Sequence, residues 1–64
     1  MIIKLIGWDG SDIYINFNNV AYFSKATVMG KDAAKIVFNH YSHQDGESAY
    51  IYVLSTENEI LNAL

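Results

Sequence analysis

The stretch "HYSHQDGE" gathers His40, His43, Asp45 and Glu47 within eight residues. Imidazole nitrogens and carboxylate oxygens together bind zinc and other divalent ions. A metal-binding helix places such residues on one face by its spacing, whereas a loop imposes no geometry, and polar hairpin loops collect the same residue types because they are solvated. The run is read as a solvated loop, with no metal ligand and no cofactor assigned. The same histidines are candidate bases, but no serine or cysteine nucleophile with a defined neighbourhood accompanies them. A glycine-rich phosphate loop, "GxSxG" and "HExxH" are all absent from the sequence. A chain of 64 residues also has little room for a water-excluding pocket. The sequence therefore predicts no enzyme and no catalytic residues.

Lys25 and Lys35 form a second candidate. A "VMGKD" turn centred on Gly30 sets them across from each other on neighbouring strands, where like charges repel unless an anion lies between them. A nucleotide is one such anion, its phosphate on the lysines and its base stacked on a tyrosine such as Tyr22 or Tyr50. Two copies of the chain then complete a pocket that one copy cannot. The simpler alternative is two solvated ammonium groups on flexible stems.

The elements that position these residues follow from the hydrophobic period. Residues 1–8 read as a first strand and 12–17 as a second, with Ile13, Ile15 and Phe17 alternating against Tyr14 and Asn16; Asp9-Gly10 between them is a tight-turn signal. Asn18-Asn19 reads as a turn or bulge, since asparagine tolerates left-handed backbone. Strands over 20–27, 33–40 and 48–54 follow. The period then changes in "STENEILNAL". Ile60, Leu61 and Leu64 form a helical stripe, and Thr56 with Glu59 fits a capping box. So short a helix is unstable alone and must dock that stripe on the sheet. The predicted fold is mainly β with one C-terminal helix, an antiparallel meander of four to five strands forming a single domain over residues 1–64.

Composition bounds the class. A chain of this length buries only about 60% of its unfolded surface, so it needs a staple, and the absence of cysteine removes disulfides. The residues are 52% hydrophobic and only 17% charged. Some apolar surface is therefore expected between chains, in a homo-oligomer. The net charge of −3 and the lack of arginine disfavour nucleic-acid binding. "MIIKLIGW" lacks the length and flanks of a signal peptide, and no segment approaches the roughly 20 apolar residues of a membrane span. A cytoplasmic protein with no membrane contact is the expectation.

One helix covers one face of a sheet, and the other face should then be polar. It does not read so: Tyr22, Ile36 and Phe38 lie opposite in sense to Phe23 and Val37, and in "SAYIYVLS" Tyr50 and Tyr52 oppose Ile51 and Val53. A one-residue slip exchanges the faces and leaves the conflict in place. Either the sheet coils into a small barrel with tyrosines scattered outside, or a second copy or a target protein covers the open face. The second is the favoured reading, with Trp8, Tyr14, Tyr22, Tyr50 and Tyr52 as interface residues, because interface cores are aromatic-rich and charge-poor.

In "MIIKLIGWDGSDIYIN", "NNVAYF" and "SAYIYVLSTENEIL" the chain resembles the small flagellar FlbD family, whose pattern is an N-terminal hairpin, an Asn-ended strand and a final strand stepping into a short helix. Asp9-Gly10 stands at the hairpin turn, Asn16 at the strand end, and Ser55 with Glu59 at the helix entry; the "YSHQDGE" insertion departs from the pattern. The second half is also similar to the end of a LytTR-type DNA-binding domain. The resemblance implies a β-meander with a terminal helix, used for binding, and brings no catalytic residues. The functional expectation is a non-enzymatic, self-associating module acting on an unidentified protein target, of which phage-encoded inhibitors of host machinery are examples. A nucleotide-sequestering oligomer and a FlbD-like regulatory protein are the alternatives.

Overall fold

The computed structural model describes residues 1–41 and 48–64. The chain runs β1 (Ile2–Ile6), β2 (Asp12–Asn16), a 3-10 turn (Phe17–Asn19), β3 (Val20–Val28), β4 (Lys31–Tyr41), β5 (Ser48–Val53) and α1 (Glu57–Ala63). It is mainly β with a C-terminal helix, as the alternation predicts. The strands make two antiparallel sheets: a β1–β2 hairpin and a three-stranded sheet in the order β3-β4-β5. A bridge between Gly7 and Val53 joins them, continued by the Leu54 N–H donating to the Ile6 carbonyl at 2.9 Å. The barrel alternative is thus partly realised, since the hairpin folds over the sheet instead of extending it.

Pairing sets what faces inward. In the hairpin Ile3 lies opposite Ile15 and Leu5 opposite Ile13, and these four line the inner side. They meet Ala34, Ile36 and Phe38 of β4, Phe23 of β3, and Ile51 and Val53 of β5 in one apolar cluster. Ile36, Val53 and Ile60 are fully shielded from water. A bulge between Val20 and Tyr22 inserts one residue into β3, so that Val20, paired with Phe38, also reaches the core.

Two turns differ from their expected forms. The Gly7 N–H donates to the Ser11 carbonyl at 2.8 Å and the Gly10 N–H to the Gly7 carbonyl at 2.9 Å, while Gly10 adopts φ +87°. Asp9-Gly10 therefore closes a three-residue loop begun by Trp8, with glycine at the left-handed position. The Asp9 carboxylate accepts from the hydroxyl of Ser11 at 2.6 Å and from its N–H at 3.0 Å, and both bonds lower the Asp9 pKa. After β2, Asn18 and Asn19 do not adopt left-handed backbone. Asn16 instead caps the 3-10 turn, its side-chain oxygen accepting the Asn18 N–H at 3.0 Å.

The capping box at α1 is present: Thr56 donates its N–H to Glu59 Oε1 at 2.9 Å, and the Glu59 N–H donates to Thr56 Oγ1 at 3.3 Å. The helix entry assigned by resemblance to Ser55 and Glu59 thus belongs to Thr56 and Glu59. Ile60 docks in the core, but Leu61 and Leu64 are exposed, contrary to the expected three-residue stripe. The helix has only seven residues; Leu61 lies a third of a turn from Ile60, and Leu64 falls at the C-cap, past the helical turns. No helix among the described residues is long and apolar enough to cross a membrane.

Candidate interaction surface

The β3–β4 turn decides which side chains remain outside. Val28 pairs with Lys31 around a two-residue turn, Met29-Gly30, with φ +53° and +77°. Positive φ at both central residues is the type I′ geometry that matches strand twist. A turn centred on Gly30 pairs Lys25 with Lys35; the two-residue turn slips the register by one, so Lys25 lies opposite Ala34 and Lys35 opposite Ser24. Because the side-chain period of a strand is 2, the two lysines face opposite sides of the sheet. Their expected joint anion site does not form.

The same slip sorts the aromatics. Phe23 pairs with Ile36 and turns inward, whereas Tyr22 pairs with Val37 and turns outward. Large apolar groups reach both faces, as expected, but they are sorted by type: Phe23, Phe38 and most aliphatic side chains of this sheet go to the core, and Tyr22, Tyr50 and Tyr52 go to the opposite face. Tyr50 also pairs with Val37, and Tyr52 pairs with Lys35. Two rows cross the outer face, Tyr22-Val37-Tyr50 and Ser24-Lys35-Tyr52. Val37 is buried although it points away from the core, because a tyrosine flanks it on each side.

Tyr22, Tyr50 and Tyr52 remain 58%, 49% and 38% exposed. The rings of Tyr50 and Tyr52 meet edge to face with centroids 5.7 Å apart, and the Lys35 ammonium lies 4.4 Å from the Tyr50 centroid. The face is thus an ordered aromatic platform with a cation fixed over one ring.

The remaining predicted residues lie elsewhere. Tyr14 is exposed on the outer face of the hairpin with Ile2, Lys4, Ile6 and Asp12, and Trp8 sits in the hairpin loop. The five expected interface aromatics therefore divide between two surfaces on opposite sides of the core. Lys25 lines a groove of about 220 Å³ with Asp32, Thr56, Glu57 and Asn58, where carboxylates outnumber it. The hydrogen bonds from the N–H and hydroxyl of Thr56 hold Glu59 below the usual glutamate range. His40 is exposed and stacks on Phe38, centroids 5.7 Å apart; His43, Asp45 and Glu47 lie outside the described residues. Sequence reasoning missed Lys31, which the register places with Lys35 on the tyrosine face. Its signal was the strand period counted from a two-residue turn.

Comparison of the chain with protein-family models, curated proteins and solved structures returns no match.

Proposed function

We propose that this chain is a small non-catalytic binding protein that self-associates and acts by protein–protein contact. The observation that carries the reading is the exposure of Tyr22, Tyr50 and Tyr52 together on one sheet face. Tyrosines present large area at low entropic cost, and they are enriched at interfaces because their rings are apolar and their hydroxyls polar. An inhibitor of host machinery is one role of this kind, and the binding role implied by the FlbD-like pattern is another.

Self-association is better served by the hairpin than by the tyrosine face. Ile2, Ile6 and Tyr14 are exposed beside Lys4 and Asp12, so a two-fold stack of hairpins has both charges available for pairing. A nucleotide between subunits keeps Lys35 but loses Lys25, and Tyr50 already offers its ring face to Lys35.

Two measurements test the proposal. Sedimentation velocity across concentration should show a dimer or larger species that Tyr14→Lys weakens; a monomer at every concentration overturns self-association. Affinity capture from cell extract should enrich a protein that Tyr22→Ser and Tyr50→Ser both release. Enrichment indifferent to these substitutions overturns the tyrosine face as the contact surface.

A further inference from the structure

Strand alternation places two of the four lysines, Lys31 and Lys35, on the tyrosine face. No acid among the described strand residues shares it: Asp32 pairs with Thr27 and turns to the opposite side. The chain as a whole carries −3, so the described strand residues of this face are opposite in sign to the chain's net charge.

We infer that the tyrosine face takes an acidic segment of another protein, carboxylates on Lys31 and Lys35 and apolar side chains against the rings of Tyr22 and Tyr52. The inference rests on the binding role proposed above and names the chemistry of the occupant. Lys35 is the anchor. Its ammonium is seated over the Tyr50 ring, 4.4 Å from the centroid, and tyrosine hydroxyls on the same face are able to donate hydrogen bonds to a carboxylate.

Charge separates this occupant from the two competing ones. A second copy stacked face to face brings four ammonium groups together with no carboxylate from the described strand residues between them, an arrangement that repels. Single-stranded nucleic acid needs open ring faces for base stacking and a track of cations for its phosphates. Here Lys35 occupies the face of Tyr50, only two lysines are available, and the chain has no arginine. An acidic, partly apolar peptide needs neither further cations nor the Tyr50 ring.

The test is a titration of the isotopically labelled full chain, followed by amide and tyrosine-ring NMR shifts. The probes are a peptide of glutamate and leucine, its glutamine counterpart, and oligothymidine. The glutamate peptide should shift Tyr22, Lys35, Tyr50 and Tyr52, weaken with salt, and lose up to about fivefold in affinity with Lys35→Gln, the upper end for a partly exposed ion pair. Lys35→Glu should lose more, and the spectra themselves report whether either variant is folded. If the glutamine peptide binds the face equally well, the acidic class is wrong while the binding role stands. Tighter binding of oligothymidine overturns the inference in favour of nucleic acid. If no probe shifts the face, the inference fails, and the extract capture decides separately whether the binding role fails with it.

Discussion

The hydroxyl of Ser55 accepts the backbone N–H of Ile6 at 2.8 Å, across 49 residues of sequence. Ser55 is the buried polar residue among those described, and it lies where the hairpin sheet meets the end of β5. A β-hairpin is marginal by itself, so this bond and the Leu54-to-Ile6 bond, with the Gly7–Val53 bridge and the packing of Ile3, Leu5, Ile13 and Ile15, tie the hairpin over the core. Ser55→Ala leaves the Ile6 N–H without its partner and should cost about 1–2 kcal/mol. Urea denaturation measures this as a lower midpoint at unchanged slope, and an unchanged midpoint would show that the bond does not hold the sheets together.

Met29 occupies a left-handed position, φ +53°, and is 88% exposed. An L-residue there strains its Cβ against the neighbouring carbonyl by roughly 1–2 kcal/mol, and asparagine relieves much of this through local hydrogen bonding. Met29→Asn should therefore stabilise the fold by up to about 1 kcal/mol, or about 4–8 °C in Tm for a domain of this size. A lower Tm would mean that the methionine side chain makes a contact outweighing the strain.

Acid should loosen the helix before it affects the sheet. Two hydrogen bonds from Thr56 depress the Glu59 pKa, so the native state favours the carboxylate more than the unfolded chain does. That stability is fully present above the ordinary glutamate pKa of about 4.3 and is lost as pH falls through the lower native value. Helical circular dichroism should therefore decline on acidification below that point. Glu59→Gln can still close the capping box but does not titrate, so its decline should be shallower; identical profiles would assign the acid sensitivity elsewhere, for example to Asp9, whose pKa is lowered by Ser11.

The strands, the terminal helix and its cap were legible because each depends on local pattern: Ile13 and Ile15 alternate, and Thr56 stands three residues before Glu59. Pairing was not. "VMGKD" contains one glycine and reads equally well as a turn around Gly30 or around Met29-Gly30, and methionine is a poor signal for a left-handed position. That single ambiguity left open which of Tyr22 and Phe23 faces the core, set Lys25 opposite Lys35, and hid Lys31. The exposure of Leu61 was also illegible, because the stripe says which helical residues are apolar and not how many the sheet has room to cover.

Tyr22 and Phe23 provide the sharpest check on the register. They are adjacent, aromatic and similar in size, yet Phe23 packs on the core, edge to face with Phe17 at 6.0 Å, and Tyr22 stands outside over Val37. Phe23→Ala opens a cavity beneath β3 and should cost about 2–4 kcal/mol, enough to leave a small domain partly unfolded. Tyr22→Ser removes a ring from an exposed face and should cost under about 1 kcal/mol. If the two costs are reversed, the strand has slipped by one residue, and with it Lys31, Lys35 and the tyrosines lose their common face. If they stand as expected, the variant that spares the fold, Tyr22→Ser, is also the one that should weaken binding.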